Sequence, residues 1–514
     1  MRKWALGRRT IYSWERTLAS GLHRFLPALL EPNTSFDSVE RYFRFRTNKR
    51  YMLDINWFRI EKGGDPKVIL ESQRKRFASE EIVQKIIDLD EEWRKCRYQG
   101  DQLRKQLNAT SKQIGQKKRN NEEATELMEK VVEIKNSISV TEKRIEELEF
   151  ERDTLLKSVG NIVHESVFVS RDESENPVLR QWGEISSEKK SYNHVDLLYM
   201  IDGVEYERGV NVAGNRGYYL KGPAVALNLG LIHYGLQFLV KKGYLPLQTP
   251  YFMERDAMAK CAQLEDFDEQ LYKVTGEGTQ EKYLIATSEQ PICCFHMNEW
   301  LDPKSLPLRY VGFSTCFRKE TGSHGRDTLG IFRVHQFEKL EQFCITAPDP
   351  EVSYSMMEEM MHTAEEFYQS LNIPYRVVNI VSGALNNAAA KKYDLEGWFP
   401  ASSSFRELVS CSNCTDYQAR RLEIRYGLKK MGDREKKYVH MLNSTLCATT
   451  RVICCILENF QTADGVKVPE VLQPFVGHDF LPFKREPLKM PTTENPSKLD
   501  SESLTKNMRE LKTS

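Results

Sequence analysis

Two long segments of the chain repeat apolar residues at alternating intervals of three and four positions, and this pattern restricts the possible folds more than any other feature. The first segment begins near Ser79 and holds its register to Ile114, and the second runs from Leu127 to Ile162. Such spacing is typical of helices that pack as a coiled coil. Because a short polar turn at about 115–126 separates segments of nearly equal length, we predict an antiparallel helical hairpin. Each helix would be roughly 55 Å long at about 1.5 Å per residue.

The predicted hairpin carries its positive charge on one side. Its first helix and its turn are rich in lysine and arginine, whereas its second helix is rich in glutamate. A basic lever of this length suits the phosphate backbone of double-stranded RNA. A solvated helix face or a dimer zipper is the alternative, and the pattern leaves both open. The residues expected to contact RNA are Arg104, Lys105, Lys112, Lys117, Lys118 and Arg119.

The stretch 308–343 predicts two antiparallel strands, over about 308–318 and 331–345, joined by a polar, glycine-rich loop at 322–330. Side chains two apart share a face, so the second strand would present Arg333, Phe337 and Glu341 together. A cation, an aromatic ring and a carboxylate in this order match a triphosphate, a purine and an ammonium group. A solvent-facing strand of mixed charge is the alternative.

Other polar residues stand at the ends of apolar segments. Thr287 and Glu289 follow a short strand, where they suit a small polar ligand or a helix cap. Glu407 lies on a strand or at its end, and a helix is expected from about Thr445. Arg451 falls inside an otherwise apolar helix, so it needs an anionic partner, either a phosphate or a carboxylate.

Length and composition bound the remaining possibilities. A chain of 514 residues with 40% hydrophobic residues can form two or three domains. The net charge is +1, but residues 1–51 carry 11 basic and 4 acidic residues and are at +7, which leaves the rest at −6. RNA contacts must therefore come from a local patch. Eleven scattered cysteines indicate reduced core thiols, and the lack of an 18-residue apolar run predicts no membrane-spanning helix.

These observations divide the chain into four predicted regions. Residues 1–51 form an atypical basic extension, either a transit peptide or an upstream extension before Met52. Residues 52–168 form an RNA-binding domain with the hairpin. Residues 169–483 form a second domain, which holds the candidate site residues, and residues 165–215 around its start are expected to be a linker and entry region. Residues 484–514 are rich in Pro, Ser, Lys and Glu and are expected to be disordered.

Several motifs together resemble the class II aminoacyl-tRNA synthetases, and in particular the eukaryotic cytosolic seryl-tRNA synthetases. GYLPLQTP resembles the first class motif, FRKE with FRVHQFEKLEQF the second, and LNSTLCATTRVICCILE the third. TSEQP, GSHGRD and FRELVSCSNCTDYQARR resemble the seryl branch specifically. The resemblance extends from Met52 to about Pro482. It implies an α+β fold, in which a coiled-coil arm precedes a catalytic domain built on a mostly antiparallel sheet flanked by helices. It also implies that this domain dimerises through the first motif.

The same resemblance implies an activity. Serine and ATP would give seryl-adenylate and pyrophosphate with the help of Mg²⁺, and the seryl group would pass to the 3′ end of tRNA-Ser, and of selenocysteine tRNA where that exists. A cytoplasmic homodimer is expected, with mitochondrial import through residues 1–51 as the less favoured alternative. A non-catalytic RNA-binding paralogue and a ligase that charges a carrier protein are the competing functions.

Residue roles carry over by matching motifs. The expected catalytic residues are Arg318, Glu320 and Arg451, and the expected metal ligands are Glu407 and Ser410. The expected serine-binding residues are Thr287, Glu289, Arg318, Glu341, Asn443 and Thr445. The expected ATP-binding residues are Arg318, Lys319, Glu320, Arg333, Val334, His335, Gln336, Phe337, Glu407, Leu408, Val409, Ser410 and Arg451.

Overall fold

The structure is a computed structural model that describes residues 53–185, 189–262, 270–276, 281–320, 330–428 and 436–488. The basic extension 1–51, most of the polar loop at 322–330 and the tail beyond 488 therefore lie outside the described residues. Expectations about those segments stay predictions.

The two heptad segments form the predicted antiparallel hairpin. After helix α1 (Pro66–Lys75), the first segment forms α2 (Glu81–Arg119) and the second forms α3 (Thr125–Ser158). Ion pairs join Lys85 to Glu151 and Arg104 to Glu142, so the helices run in opposite directions. Helix α3 ends at Ser158, so the expected helical register to Ile162 is too long by one turn.

A buried carboxylate anchors the base of this hairpin. Asp90 on α2 accepts two hydrogen bonds from Arg59, at 2.7 and 2.6 Å, and one from Arg152 on α3, at 3.2 Å. Arg94 adds an ion pair at 3.2 Å. Arg152 replaces the apolar residue that the heptad pattern would place between Leu148 and Leu155. One anion therefore connects both helices of the hairpin to the segment that precedes them.

The catalytic part contains an eight-stranded sheet. Its strands are β1 (Val178–Trp182), β4 (Leu245–Gln248), β9 (Leu308–Phe317), β10 (Gln336–Thr346), β11 (Tyr375–Asn379), β12 (Lys391–Phe399), β13 (Ser404–Asn413) and β16 (His440–Ala448). They lie in the order β1-β11-β12-β13-β16-β10-β9-β4. Every neighbouring pair is antiparallel except β4 with β9. The α+β class and the antiparallel sheet flanked by helices are confirmed.

Helices cover the sheet, and smaller sheets border it. The further helices are α4 (His194–Met200), α5 (Tyr206–Ala213), α6 (Pro223–Lys241), α7 (Arg255–Cys261), α8 (Glu289–Cys293), α9 (Pro350–Ser370), α10 (Tyr417–Arg421), α11 (Thr449–Phe460) and α12 (Gln473–Val476). The short strands are β2 (Val204–Glu205), β3 (Tyr219–Leu220), β5 (Phe252–Glu254), β6 (Lys273–Val274), β7 (Lys282–Leu284), β8 (Trp300–Leu301), β14 (Arg425–Tyr426), β15 (Lys437–Tyr438), β17 (Gly465–Lys467) and β18 (Phe480–Pro482). All eleven cysteines are free thiols, most of them buried.

Three sequence expectations about the catalytic part are wrong. Residues 165–215 are not a linker, because they supply the edge strand β1 and the buried helix α4. The second strand of the central pair begins at Gln336, so Arg333 precedes it. Disorder does not begin at 484, since Arg485 forms ion pairs with Asp202 and Glu205.

Helix α6 is long and apolar enough, by length and composition alone, to cross a membrane. The sequence predicts no such helix. One side of α6 lies in the core, where Leu227, Leu231 and Leu239 are fully buried. Its other side keeps apolar residues exposed, among them Val225 and Leu229.

Candidate active site

A cavity of about 350 Å³ opens on the face of β10, β13 and β16, and most of the predicted site residues line it. The predicted residues on its wall are Thr287, Glu289, Arg318, Glu320, Arg333, Val334, Phe337, Glu341, Glu407, Leu408, Ser410, Asn443, Thr445 and Arg451. Residues that are 164 positions apart, Thr287 and Arg451, thus meet at one site.

Four of the predicted ATP-binding residues do not line this cavity: Lys319, His335, Gln336 and Val409. Val409 is fully buried in the core, and Gln336 is exposed. His335 joins the two central strands instead, since its carbonyl accepts from the Arg318 amide at 2.9 Å and its ring Nδ1 lies 3.0 Å from the Arg318 carbonyl. The side chain of His335 therefore holds the backbone that carries Arg318.

Two β-bulges decide which residues face the cavity. Between β12 and β13 the register shifts, so that Leu395 pairs with Val409 but Glu396 pairs with Glu407. Leu408 is the extra residue, and it brings Glu407 to the same face as Ser410. A regular strand would place residues three apart on opposite faces.

The second bulge lies between β10 and β16. Leu340 pairs with Cys447, whereas Glu341 pairs with Thr445, so Leu446 is the extra residue. As a result Thr445 and Ala448, three positions apart, both line the cavity. Thr445 therefore lies within β16, and the expected helix start near Thr445 is wrong, because α11 begins at Thr449.

Carboxylates crowd one end of the cavity, which we call the carboxylate end (Thr287, Glu289 and Glu341). The Thr287 hydroxyl donates to Glu341 Oε2 at 2.9 Å and accepts from the Glu289 amide at 3.2 Å. Thr287 thus accepts from the first amide of α8 and also faces the cavity, and its role toward a small polar ligand stays a prediction. Glu341 is buried and forms an ion pair with Lys339.

Gly312 allows α8 to approach this end closely. It lies opposite Glu341 in the register of β9 and β10. A Cβ atom at Gly312 would lie 2.5 Å from the Ser288 hydroxyl and 2.6 Å from Ile292. A side chain here would push α8, and Glu289 with it, away from Glu341.

Glu289 has an unusual protonation equilibrium. Loss of solvent around the carboxyl, together with the negative charge of Glu341, raises its pKa to about 7. A hydrogen bond from Gln418 Nε2 at 2.8 Å acts in the opposite direction. The carboxylate end therefore favours a ligand with a positive group, which would favour the charged form of Glu289.

Cations surround the other end, which we call the arginine end (Arg318, Lys392, Glu407 and Arg451). Arg451 Nη1 lies 3.2 Å from Glu407 Oε2 and 3.2 Å from the Glu407 carbonyl. Desolvation would raise the pKa of Glu407, but the charges of Arg451, Lys392 and Arg318 outweigh it and hold the pKa at about 2. The Arg451 side chain is only 18% exposed, and the carboxylate of Glu407, whose side chain is 44% exposed, supplies the anion it needs.

Aromatic rings face two guanidiniums of the arginine end. The guanidinium of Arg318 is 5.3 Å from the Phe337 ring, and that of Arg451 is 4.9 Å from the Phe332 ring. Arg333 faces Glu320 at 3.5 Å. The cavity thus combines flat apolar surfaces with guanidinium groups, an arrangement that fits a base and its phosphates.

Several cavity residues escape sequence reasoning. Lys392 and Asp394 alternate along β12 with apolar residues, and this period of two is a signal that could have found Lys392. Asn386 lies in a loop and carries no comparable signal. The unpredicted lining residues are Phe332, Lys339, Asn386, Lys392, Ser412, Ala448 and Thr450.

Comparison with known proteins assigns the family. Residues 52–163 match the model of the seryl-tRNA synthetase N-terminal domain, and residues 272–460 match that of the tRNA synthetase class II core domain (G, H, P, S and T). The chain is 57% identical to the cytoplasmic serine–tRNA ligase of Arabidopsis thaliana, over 87% of this chain and 100% of that protein. The chain belongs to the seryl-tRNA synthetase family. The family's cytoplasmic member from Dictyostelium discoideum is 56% identical, over 84% of this chain and 95% of that one.

Solved structures of this seryl-tRNA synthetase family have the same fold. The cytoplasmic serine–tRNA ligase of Naegleria fowleri in complex with AMP matches with a TM-score of 0.77 and 51% identity, over 84% of this chain and 99% of that one. The seryl-tRNA synthetase of Pyrococcus horikoshii complexed with ATP matches with a TM-score of 0.78 and 41% identity, over 84% and 100%. The resemblance inferred from the motifs is confirmed.

Proposed function

We propose that this chain is a serine–tRNA ligase that activates serine with ATP and transfers it to tRNA-Ser. The observation that carries this proposal is that the carboxylate end, the arginine end and Phe337 all line one cavity. The relatives at 50% identity and above carry the same activity in their names, and most are named cytoplasmic. We therefore place the enzyme in the cytoplasm, and import through residues 1–51 remains the alternative.

In the first step an oxygen of the serine carboxylate attacks the α-phosphorus of ATP, and the bond from that phosphorus to the pyrophosphate oxygen breaks. Such a displacement depends on alignment and charge stabilisation more than on proton transfer. Arg318 would stabilise the α-phosphate, Arg333 and Arg451 would hold the outer phosphates, and adenine would lie on Phe337. The serine carboxylate is already ionised, so this step needs no general base.

Glu407 and Ser410 fit a magnesium ion. The Glu407 carboxylate is anionic at any physiological pH and its side chain is 44% exposed, and the Ser410 hydroxyl is a second hard oxygen donor on the cavity wall. In the part of the chain that the structure describes, no three His, Cys, Asp or Glu side chains converge on a metal site. Magnesium bound by one carboxylate and substrate phosphates fits this donor set, and it would neutralise charge on those phosphates.

Serine would be recognised at the carboxylate end. Its ammonium group would pair with Glu289 and Glu341, and its hydroxyl would lie near Asn443 and Thr445. Hydrogen-bonding groups that a smaller amino acid leaves unpaired are costly, so alanine would be rejected strongly. Glu320 would contact the adenine.

Three further parts of the proposal concern assembly. The hairpin α2–α3 would bind tRNA through its basic first helix, which includes exposed lysines at 112, 117 and 118. Two copies would dimerise through α6 and the edge strand β4, where Val240 and Leu245 are 48% and 56% exposed. The regions 52–168 and 169–483 would act as the tRNA-binding and catalytic domains, with no membrane contact.

A charging assay with a panel of amino acids and total tRNA tests the proposal. We expect only serine to be attached, and only to tRNA-Ser and any selenocysteine tRNA. A non-catalytic paralogue would bind tRNA without charging it. A ligase for a carrier protein would charge its acceptor equally well after deletion of residues 79–164.

A further inference from the structure

The short helix α10 contacts the C-terminal end of α3 at residues 157–159, which we call the hairpin root. The Tyr417 hydroxyl donates to the Val159 carbonyl at 3.0 Å, one residue after α3 ends. Arg421 donates to the Lys157 carbonyl at 2.9 Å and to the Tyr417 hydroxyl at 2.7 Å. The final turn of the hairpin therefore rests on α10.

Gln418, the residue that follows Tyr417 on α10, contacts a residue of the cavity. Gln418 Nε2 donates to Glu289 Oε1 at 2.8 Å across 129 positions of sequence. Gln418 is 2% exposed, so its side chain is almost entirely enclosed by the protein. Neighbouring residues on a helix point about 100° apart, which explains how Tyr417 and Gln418 reach different partners.

A third contact joins the residues that precede α10 to Asn161, which lies three residues after the end of α3. Asn161 donates through Nδ2 to the Cys414 carbonyl and to the Thr415 hydroxyl, both at 2.9 Å. Asn161 and Thr415 are buried. The segment that leads into α10 and the segment that leaves α3 are thus bonded to each other, and we expect them to move together.

We propose that Gln418 is a positioning residue that orients Glu289, and that α10 transmits the position of the hairpin root to the serine pocket. This inference rests on the proposed function of the cavity. A carboxylate that must pair with an ammonium group depends on its orientation, and Gln418 sets that orientation from α10. When tRNA holds the hairpin, α10 conveys that restraint to Glu289.

The substitution Gln418→Met tests the positioning role, because it removes the donor and keeps the volume. In serine-dependent ATP–pyrophosphate exchange without tRNA, we expect KM for serine to rise roughly tenfold or more, as for loss of a hydrogen bond to a charged group. KM for ATP should stay unchanged. Gln418→Asn, whose amide falls short of Glu289, should act in the same way. Gln369→Met is the matched control, since Gln369 on α9 donates to the Tyr375 hydroxyl on β11 and does not line the cavity.

The substitution Tyr417→Phe tests the link, because it removes only the hydroxyl that binds Val159. We expect a higher KM for serine in the same tRNA-free assay. In the double variant with Gln418→Met, KM for serine should increase by less than the product of the two single fold-increases, because both substitutions break the same link. Tyr234→Phe is the control, since that hydroxyl donates to the Ser370 hydroxyl at 2.7 Å and neither residue lines the cavity.

The outcomes separate the two proposals. If the unaltered chain shows no serine-dependent exchange, the proposed function is wrong. If the unaltered chain is active but both Gln418 variants keep its KM for serine, the positioning role is wrong. If Tyr417→Phe changes KM for tRNA but not KM for serine, the transmission through α10 is wrong.

Discussion

Arg451 and Glu407 form an ion pair at the arginine end of the cavity, with Nη1 3.2 Å from Oε2. The two residues come from different elements, since Arg451 lies on α11 and Glu407 on β13. In the proposed function Arg451 binds the outer phosphates and Glu407 binds magnesium. ATP with its magnesium ion would therefore take over both partners of this pair.

Replacement of Arg451 by alanine should abolish adenylate formation. The variant loses a guanidinium that stabilises phosphate charge and leaves Glu407 without its nearest cation. Loss of one such group from a preorganised site costs on the order of 10²–10³ in rate, which serine-dependent ATP–pyrophosphate exchange can measure. Arg376→Ala is the control, because Arg376 pairs with Glu396 and does not line the cavity. Normal exchange by Arg451→Ala would refute the phosphate assignment.

The affinity for serine should depend on pH through Glu289. Its pKa of about 7 belongs to the free enzyme, and only the ionised carboxylate pairs with an ammonium group. We therefore expect kcat/KM for serine to fall as the pH falls below about 7. Removal of the Gln418 donor raises the pKa of Glu289. In Gln418→Met the fall in kcat/KM for serine should therefore begin at a higher pH.

Two controls accompany that pH profile. The kcat/KM for ATP should not show this fall at low pH, because Glu289 lies at the carboxylate end, where serine and not ATP is proposed to bind. A Glu289→Gln variant should show weak, nearly pH-independent serine activation. A profile for serine that stays flat well below pH 7 would show that Glu289 does not titrate in the way its surroundings predict.

The basic tip of the hairpin should matter for tRNA but not for adenylate formation. Combined replacement of Lys112, Lys117, Lys118 and Arg119 by alanine should raise KM for tRNA-Ser and reduce the salt dependence of binding, since fewer phosphates are neutralised. Exchange activity without tRNA should be unchanged. Replacement of Lys130, Lys135 and Lys143, which are exposed on α3, should have a smaller effect. Equal effects from both sets would remove the basis for assigning RNA contact to α2.

The stability of the base of the hairpin should depend on Asp90. Asp90→Ala leaves Arg152, which is 7% exposed, without its buried partner, and a broken buried ion pair costs about 3–5 kcal/mol. We expect a lower denaturant midpoint, with the loss concentrated in the hairpin as measured by hydrogen exchange. Asp88→Ala is the control, because Asp88 is exposed on the same helix. Equal stability of both variants would contradict the anchoring role.

Local patterns predict the hairpin well because its contacts repeat within each helix. The heptad register needs only the chain near each residue, and it locates α2 and most of α3. The same rule cannot foresee Arg152, whose charge is balanced by Asp90, 62 positions away in sequence, and by the adjacent Asp153. The heptad pattern does not show either pairing, and the contact with Asp90 exists only in the folded chain.

The cavity is harder to predict because bulges break the period of two. Strand alternation alone would separate Glu407 from Ser410 and Thr445 from Ala448, yet the extra residues Leu408 and Leu446 reunite each pair. The family motifs brought Glu407 and Ser410 together where periodicity could not. Gln418 lies within a seryl motif, but its partner Glu289 is distant in sequence, so its role needs the folded chain.

The central claim is that the cavity activates serine, and serine-dependent ATP–pyrophosphate exchange by the full chain tests it most directly. The assay would compare serine with alanine, which lacks only the hydroxyl, and with threonine, which adds a methyl group. We predict exchange with serine and a kcat/KM for alanine lower by roughly 10⁴ or more, as for a site built to bind a hydroxyl. Exchange that is absent with serine, or equal for serine and alanine, would contradict the account.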